Sequence, residues 1–185
     1  MTSSRIIFLN GTSSSGKSSI ARALLDILDD GAFFHLAVDD FNAMRTRREL
    51  PPDQLDAVLR RTRAGFHRAI AAMASAGNDL VVDHVLSEPW RLRDCLEVLP
   101  AERVLFVGVH CPPAELERRE RARGDRPLGL AAQQYDVVHA HGDYDLECDT
   151  DEASPRQCAE DIKKLVAHWP TPTAFSRLRG RYLPR

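Results

Sequence analysis

Residues 11–18 carry the clearest chemical pattern in the chain. They read Gly-Thr-Ser-Ser-Ser-Gly-Lys-Ser, which matches G-x-x-x-x-G-K-[ST], and they lie between a short apolar run and an amphipathic stretch. The glycines let the backbone curl so that successive N–H groups point at phosphate oxygens, and the N-terminus of the following helix adds partial positive charge. Lys17 would then reach the β- and γ-phosphates of a nucleotide, and the Ser18 hydroxyl would bind Mg²⁺.

This pattern predicts a P-loop that binds ATP and Mg²⁺. The alternative, a Gly/Ser-rich turn without a ligand, fits less well because the motif has a predicted strand before it and a predicted helix after it. The residues predicted to contact the nucleotide are Gly11, Thr12, Ser13, Ser14, Ser15, Gly16, Lys17, Ser18 and Ser19.

Three carboxylates follow predicted strands at the ends where ligands bind in open α/β sheets. Asp39 is the candidate catalytic base, because a carboxylate there could accept a hydroxyl proton or align the hydroxyl with the γ-phosphate. Asp40 is a weaker substrate candidate, and either residue could instead cap the next segment. Asp83 ends the aliphatic run Leu80-Val81-Val82 and is predicted to hold Mg²⁺, with substrate contact as the alternative. The adjacent His84 is predicted to be structural or to face the substrate.

An arginine-rich segment spans residues 118–126, with Gly124 and Pro127 interrupting its helical pattern. Such a hinged segment could close as a lid, at about 118–129, and place guanidinium groups on the transferring phosphoryl group. Arg123 and Arg126 flank the break and are predicted to be catalytic, Arg123 also binding the nucleotide. A solvated helix face explains Arg118 and Arg121 equally well.

Short apolar runs alternate with amphipathic stretches along the chain, which predicts a parallel sheet covered by helices on both faces. The expected fold is therefore a three-layer α/β/α sandwich with a five-stranded parallel sheet, of the P-loop NTPase/kinase type. Strands are predicted at 6–9, 33–38, 80–82, 104–110 and 143–149, the last nearer an edge. Helices are predicted at 17–28, 53–75, 88–99, 114–121 and 129–140, with a final helix capped by Ser154 and ending near 168.

Residues 1–170 are predicted to form one domain, and residues 171–185 a basic tail that is disordered or docks on a subunit. The predicted helix 53–75 has a basic face that is either solvated or covers an anionic substrate or partner subunit: Arg60, Arg61, Arg63, His67 and Arg68. His139 and His141 have no metal-ligand spacing and are predicted to be structural. The loop 150–153 could contact an adenine ring.

Composition limits the partners of this 185-residue chain. Hydrophobic residues make up 43% and charged residues 28%, and the net charge of -2 gives no general attraction for nucleic acid. Four widely spaced cysteines are expected to be reduced core thiols: Cys95, Cys111, Cys148 and Cys158. No apolar run is long enough for a membrane span or a signal peptide, so a cytoplasmic location is expected. A homo-oligomer is compatible with these features.

From residue 6 to about residue 166, the chain resembles chloramphenicol phosphotransferase and its relatives in the P-loop kinase group. The resemblance rests on Leu9-Asn-Gly-Thr-Ser-Ser-Ser-Gly-Lys-Ser18, Val38-Asp39, Val82-Asp83, Val107-Gly-Val109 with Cys111, Arg121-Ala-Arg-Gly-Asp-Arg126, Val137-Val-His139, and Tyr144-Asp145 with Asp149-Thr150. The Ala-Arg-Gly-Asp-Arg and Val-Val-His runs are much more specific than the P-loop alone.

The resemblance implies ATP-dependent phosphorylation of a hydroxyl group on an antibiotic, with Asp39 as the base and Lys17, Arg123 and Arg126 on the phosphates. Departures from the family pattern lie mostly in 41–75 and 86–99, the segments expected to form the acceptor pocket, where Arg45, Arg47 and Arg48 make the entrance more basic. A kinase for a metabolite, nucleotide or nucleotide sugar is therefore the first alternative. A nucleotide-dependent switch or binding module is the second, weakened because the chain has neither N-K-x-D nor D-x-x-G.

Overall fold

A five-stranded parallel sheet forms the centre of the molecule. The computed structural model describes residues 4–123 and 129–183. Along the sheet the strand order is β2-β3-β1-β4-β5, and every neighbouring pair is parallel. The strands are β1 (Ile6–Asn10), β2 (Phe33–Ala37), β3 (Asp79–His84), β4 (Val104–His110) and β5 (Leu146–Asp149). The predicted parallel sheet is confirmed, and β5 lies at an edge as expected.

The described residues form eight helices, six between the strands and two after β5, and a short 3-10 turn lies at Ala101–Arg103. The helices are α1 (Lys17–Ile27), α2 (Val38–Ala43), α3 (Pro52–Ser75), α4 (Pro89–Val98), α5 (Pro113–Arg123), α6 (Leu130–Val138), α7 (Pro155–Ala167) and α8 (Ala174–Tyr182). Six of them match predicted helices within a few residues. The predicted capping box at the start of α7 is confirmed, because Ser154 accepts a hydrogen bond from the Gln157 amide and Gln157 accepts one from the Ser154 amide.

The alternation of side chains along the strands divides the core into two halves. On one face, Phe8 and Phe106 pack with apolar residues of α3, α4 and α8. On the other, Leu9 and Val107 pack with α1 and α7. This arrangement confirms the predicted three-layer α/β/α sandwich. A small third cluster, Cys111, Leu116 and Ala131, joins α5 to α6.

The C-terminal segment differs from its predicted form. Residues Ala174–Tyr182 form α8, and Phe175 and Leu178 are completely buried in the core of the domain. The Asp145 carboxylate holds the start of α8 on the sheet, because it accepts hydrogen bonds from the amides of Phe106 and Ala174 at 2.9 and 2.6 Å. This packing differs from the expected tail that is disordered or docks on a subunit.

The state of the cysteines agrees with the expectation of reduced core thiols. All four cysteines are buried free thiols. Among the residues that the structure describes, no helix has the length and apolar character needed to span a membrane.

The carboxyl ends of the three central strands lie side by side. Asn10 at the end of β1 pairs in register with His84 of β3 and with Gly108 of β4. Loops that follow β1, β2 and β3 therefore meet at this edge of the sheet, where binding sites of open α/β folds are found.

Candidate active site

The loop of residues 11–18 connects β1 to α1 and is pressed against the sheet. A Cβ atom at Gly11 would lie only 2.3 Å from the carbonyl oxygen of Val109, so glycine is required by close approach. Gly16, the N-cap residue of α1, has a φ of 96°, which a glycine adopts readily and other residues rarely do. These two positions explain why the motif has glycine at its first and sixth residues.

Lys17 lies inside the curve of this loop. Its side chain is buried, and its Nζ donates to the carbonyl oxygen of Thr12 at 2.7 Å. The carboxylate of Asp83 lies 3.9 Å from the same Nζ. The predicted loop lysine and the predicted metal-binding carboxylate are therefore neighbours.

Ser18 and Asp83 form the most direct link between the loop and β3. The Ser18 hydroxyl donates to Oδ2 of Asp83 at 2.5 Å. Both side chains offer oxygen atoms, which are the ligands that Mg²⁺ prefers. The donor set fits the predicted magnesium site.

A cleft of about 460 Å³ contains this pair. Asp39, on the first turn of α2, lines the cleft together with Lys17, Ser18 and Asp83. No helix was predicted between the second strand and residue 53, yet α2 forms there and carries Asp39 to the cleft. Asp40 is exposed on the same turn, outside the set of described residues that line the cleft.

Arg119 also lines the cleft, and the sequence placed it in the arginine-rich segment 118–126 without a role of its own. Arg119 of α5 donates to the Thr150 hydroxyl and to the Thr150 carbonyl oxygen, both at 2.9 Å, and its Nε donates to Glu115 at 2.7 Å. Thr150 in turn donates to the carbonyl oxygen of Ser15 at 2.8 Å. Arg119 is thus fixed beside the loop. Its signals in the sequence are its place in the arginine-rich segment 118–126 and its i, i+4 spacing from Glu115.

Glu120 joins the two sides of the predicted lid. Its buried carboxylate accepts hydrogen bonds from the amides of Gly129 and Ala131 at 3.0 and 2.7 Å. The beginning of α6 is therefore attached to α5. Arg126 and the side chain of Arg123 lie outside the described residues, so their predicted catalytic roles stay predictions.

His84 lies on the face of the sheet opposite Asp83, because successive side chains of a strand alternate. It is completely buried, and its Nε2 is 2.8 Å from Nε2 of His67 on α3. Nδ1 of His67 is 2.5 Å from the Asp94 carboxylate on α4. This geometry joins β3, α3 and α4 through core contacts, whereas the substrate role considered for His84 stays a prediction.

The electrostatic environment keeps this histidine pair uncharged at neutral pH. Burial lowers the pKa of His84 well below its usual value, and the positive charges of neighbouring groups lower it further. Burial also lowers the pKa of His67, although Asp94 opposes that effect. With its Nδ1 proton donated to Asp94, His67 accepts at Nε2 from the Nε2–H of His84.

A second polar cluster surrounds Asn10, the residue directly before the loop. The Asn10 amide donates to the Tyr144 hydroxyl at 2.7 Å and to the Val138 carbonyl oxygen at 2.9 Å. Nδ1 of His139 is 2.6 Å from the same hydroxyl, and the ring of His141 lies 4.7 Å from the Tyr144 ring. The structural roles predicted for the two histidines agree with these contacts.

Fold and site together define a P-loop nucleotide-binding protein of the kinase type. The site consists of the loop of residues 11–18 with its Lys17, and of the Ser18–Asp83 pair, all at the carboxyl edge of the sheet. Residues 4–167 match the family described as "Chloramphenicol phosphotransferase-like protein". The chain belongs to this family, which confirms the resemblance found in its motifs, and it is a phosphotransferase.

Comparison with individual proteins agrees with this assignment. A Mycobacterium tuberculosis (strain H37Rv) protein named "Putative O-phosphotransferase Rv2636" is 32% identical over an alignment 213 positions long, which covers 99% of this chain and 91% of the relative. Two solved structures share the fold at lower identity. An APS kinase of Mycobacterium tuberculosis is 18% identical with a TM-score of 0.64, over 90% of this chain and 99% of that one. A shikimate kinase of Acinetobacter baumannii is 16% identical with a TM-score of 0.65, over 89% and 94%.

Proposed function

We propose that this phosphotransferase moves the γ-phosphoryl group of ATP to a hydroxyl group of a small molecule. One observation carries the proposal: Lys17, Ser18, Asp83 and Asp39 line a single cleft. Phosphoryl transfer needs little covalent help from the protein, and positioning with charge neutralisation supplies most of the catalysis. A cation, a metal-binding pair and a carboxylate in one cleft are the required groups.

The nucleotide would be held by backbone N–H groups of residues 11–18 and by Lys17. Arg119, Thr150 and Pro155 line the same cleft and are the described residues best placed to contact the rest of the nucleotide. Arg123 and Arg126 complete the proposed phosphate contacts on the strength of their sequence pattern alone.

Ser18 and Asp83 would hold Mg²⁺ through their oxygen atoms. The bound ion would neutralise charge on the phosphate groups. The serine hydroxyl donates to the carboxylate, so the two proposed ligand atoms are adjacent.

Asp39 is the proposed base. It would accept the proton of the acceptor hydroxyl, or orient that hydroxyl towards the phosphoryl group. Its position on α2 is set by packing, since the rings of Phe41 on α2 and Phe66 on α3 lie 4.9 Å apart in an edge-to-face contact.

The acceptor class proposed from the family name is a hydroxylated antibiotic. The alternative is a metabolite, nucleotide or nucleotide-sugar acceptor on the same fold, and the positive charge of Arg45, Arg47 and Arg48 on the acceptor side supports it. We place the reaction in the cytoplasm, because four free thiols suit a reducing compartment.

The test is release of ADP from Mg·ATP in the presence of a panel of hydroxylated antibiotics, sugars, hydroxy acids and nucleosides. Mass spectrometry of the product would locate the added phosphate on one hydroxyl. Calorimetry of the same protein should register Mg²⁺-dependent binding of ATP. Folded protein that binds no nucleotide would refute the proposal.

A further inference from the structure

Arg63 on α3 has a guanidinium group that is mostly enclosed by protein and poorly paired. Its side chain is 21% exposed, and its nearest carboxylate oxygen, on Glu88, is 4.0 Å from Nη1. That distance exceeds the 2.7 to 3.2 Å of an N–H···O hydrogen bond. Within residues 4–123 and 129–183, no acceptor forms a hydrogen bond with this group, although a guanidinium has five N–H donors.

The charges around Arg63 do not compensate for its burial. Burial lowers the pKa of Arg63 below its usual value, and the nearby charge of Arg91 lowers it further. Glu88, Asp39 and Asp56 oppose this shift without cancelling it. Because an arginine stays protonated even so, the guanidinium remains an under-compensated cation.

Arg91 is the second cation of this region, and Glu88 is its carboxylate partner. Its buried side chain ion-pairs with Glu88 and donates to the carbonyl oxygen of Val85 at 2.9 Å. Trp90 also donates to Glu88, at 2.9 Å. Glu88 is therefore already hydrogen-bonded to Arg91 and Trp90, and it stays 4.0 Å from Arg63.

This cation lies on the acceptor side of the proposed reaction. Asp39, one of the carboxylates whose charge acts on Arg63, lines the cleft. Val85, whose carbonyl oxygen accepts a hydrogen bond from Arg91, lines it too. Phe66, one turn along α3 from Arg63, packs against Phe41 of α2, the helix that carries Asp39. Packing of α3 on α2 thus fixes Arg63 relative to the proposed base.

We propose that Arg63 binds an anionic group, a carboxylate or a phosphate, on the alcohol that receives the phosphoryl group. This assignment rests on the proposed function. A guanidinium matches both anions through paired N–H donors, and such charge-assisted hydrogen bonds are stronger than neutral ones. An uncharged acceptor would leave these donors without a partner. Exposed Arg45, Arg47 and Arg48 would add to the attraction of an anion towards this side.

The test uses matched ligands that differ only in charge: glycerol, glycerate and glycerol 3-phosphate, and glucose, gluconate and glucose 6-phosphate. Their binding is followed through Trp90 fluorescence in a Trp169→Phe background, with the P-loop saturated by Mg·AMP-PNP. Trp90 is a suitable reporter because it contacts Glu88. We expect an anionic ligand in the panel to bind at least about tenfold more tightly than its uncharged counterpart.

Variants of α3 then assign the preference to one side chain. Arg63→Gln should abolish it, Arg63→Lys should keep part of it, and Arg61→Gln should leave it intact because Arg61 is exposed on the same helix. Thermal unfolding would confirm that each variant is folded. Equal binding of charged and uncharged ligands by the unmodified chain, or a preference that survives in Arg63→Gln, would overturn the inference.

Failure of the proposed function would look different. Absence of an anion preference in the unmodified chain, together with intact ADP release, refutes only the role of Arg63. Anion binding that depends on Arg63, in a protein that neither binds Mg·ATP nor releases ADP, refutes the phosphotransfer reaction instead.

Discussion

Single residues at this site owe their roles to the side of the sheet on which they lie. Asp83 and His84 are adjacent in β3, yet Asp83 contacts Ser18 and Lys17 while His84 contacts His67. Alternation along a strand allows this separation to be anticipated. The partner that meets each side chain is not encoded locally, since His67 comes from a helix 17 residues earlier in the chain.

Replacement of Asp39 by asparagine tests the proposed base. Asp39→Asn keeps the size of the side chain and removes its ability to accept a proton, so turnover should fall at least about a hundredfold. Calorimetric binding of Mg·ATP should be unchanged, because Asp39 is proposed to act on the acceptor. Asp26→Asn, an exposed change on α1, is the matched control. Unchanged turnover in Asp39→Asn would remove this residue from the mechanism.

The sequence did not reveal how deeply each arginine of α3 is buried. Arg60, Arg61 and Arg63 look alike on a basic helix face, but Arg60 lies 4.4 Å from the Trp90 ring, Arg61 is exposed and Arg63 is mostly enclosed. The sequence left open whether the face is solvated or covers a substrate. Only the packing of α3 against α2 and α4 distinguishes its members.

At the scale of elements, the P-loop is positioned by the strand beside it. Gly11 touches the backbone of β4, so the place of the loop depends on the sheet. Short apolar runs made the strands predictable, and amphipathic stretches made most of the helices predictable. Two helices were not predicted. The first, α2, has only six residues. The second, α8, has arginines at 177, 179 and 181, which made the segment look like a basic tail although Ala174, Phe175 and Leu178 form a buried stripe.

Gly11→Ala tests the contact between loop and strand. The added Cβ would lie 2.3 Å from the Val109 carbonyl oxygen, so the loop must shift. We expect ATP to bind at least about tenfold more weakly, the effect of losing roughly one good hydrogen bond to a charged group. Gly65→Ala on α3 meets no atom within 4 Å and should stabilise the fold by up to about 1 kcal/mol. Isothermal titration and urea unfolding measure the two effects, and normal ATP affinity in Gly11→Ala would contradict the prediction.

Phe175→Ala tests whether α8 belongs to the core. The Phe175 ring is completely buried, and its centroid lies 5.4 Å from that of Phe106 and 6.1 Å from that of Phe8. The free energy of unfolding should fall by about 3 to 5 kcal/mol. Tyr182→Ala, at the exposed end of the same helix, should change it by less than about 0.5 kcal/mol. Equal, small effects in urea unfolding would mean that α8 is dispensable.

The molecule has an apolar core on each face of the sheet. It also has several histidines that are enclosed by protein and whose pKa is lowered. Burial is the main cause that lowers the pKa of His139 to about 3 and that of His141 to about 4. The same cause lowers the pKa of His67 and His84. Each of these groups binds a proton more readily in the unfolded chain than in the folded one.

Acidification should therefore destabilise the fold. The contribution of His141 to the free energy of unfolding is fully present above pH 6.5, the pKa of histidine in the unfolded chain. It is lost as the pH falls towards about 4, the pKa of His141 in the folded protein, because the unfolded state takes up a proton that the folded state excludes. Urea unfolding at several values between about pH 7 and about pH 5 would measure the slope. His141→Gln should make the slope shallower. An identical slope in this variant would exclude His141 as a contributor.

The overall architecture was the most predictable property. Its parallel sheet and two helical layers follow from the order of apolar runs, and the P-loop from a motif between strand and helix. The acceptor side was the least predictable, because it is formed by α2, α3 and α4, whose contacts join residues far apart in the chain. Glu88, Arg91 and Arg63 meet there without any spacing that would have linked them.

The attachment of α6 to α5 by Glu120 has a consequence for engineering. One carboxylate binds the amides of Gly129 and Ala131, so the anchor points on both sides of residues 124–128 belong to the framework of the protein. Those five residues could then be exchanged for the corresponding stretch of a relative while the framework is retained. A series of such chimaeras would separate the contribution of the exchanged stretch to turnover from that of the rest of the chain.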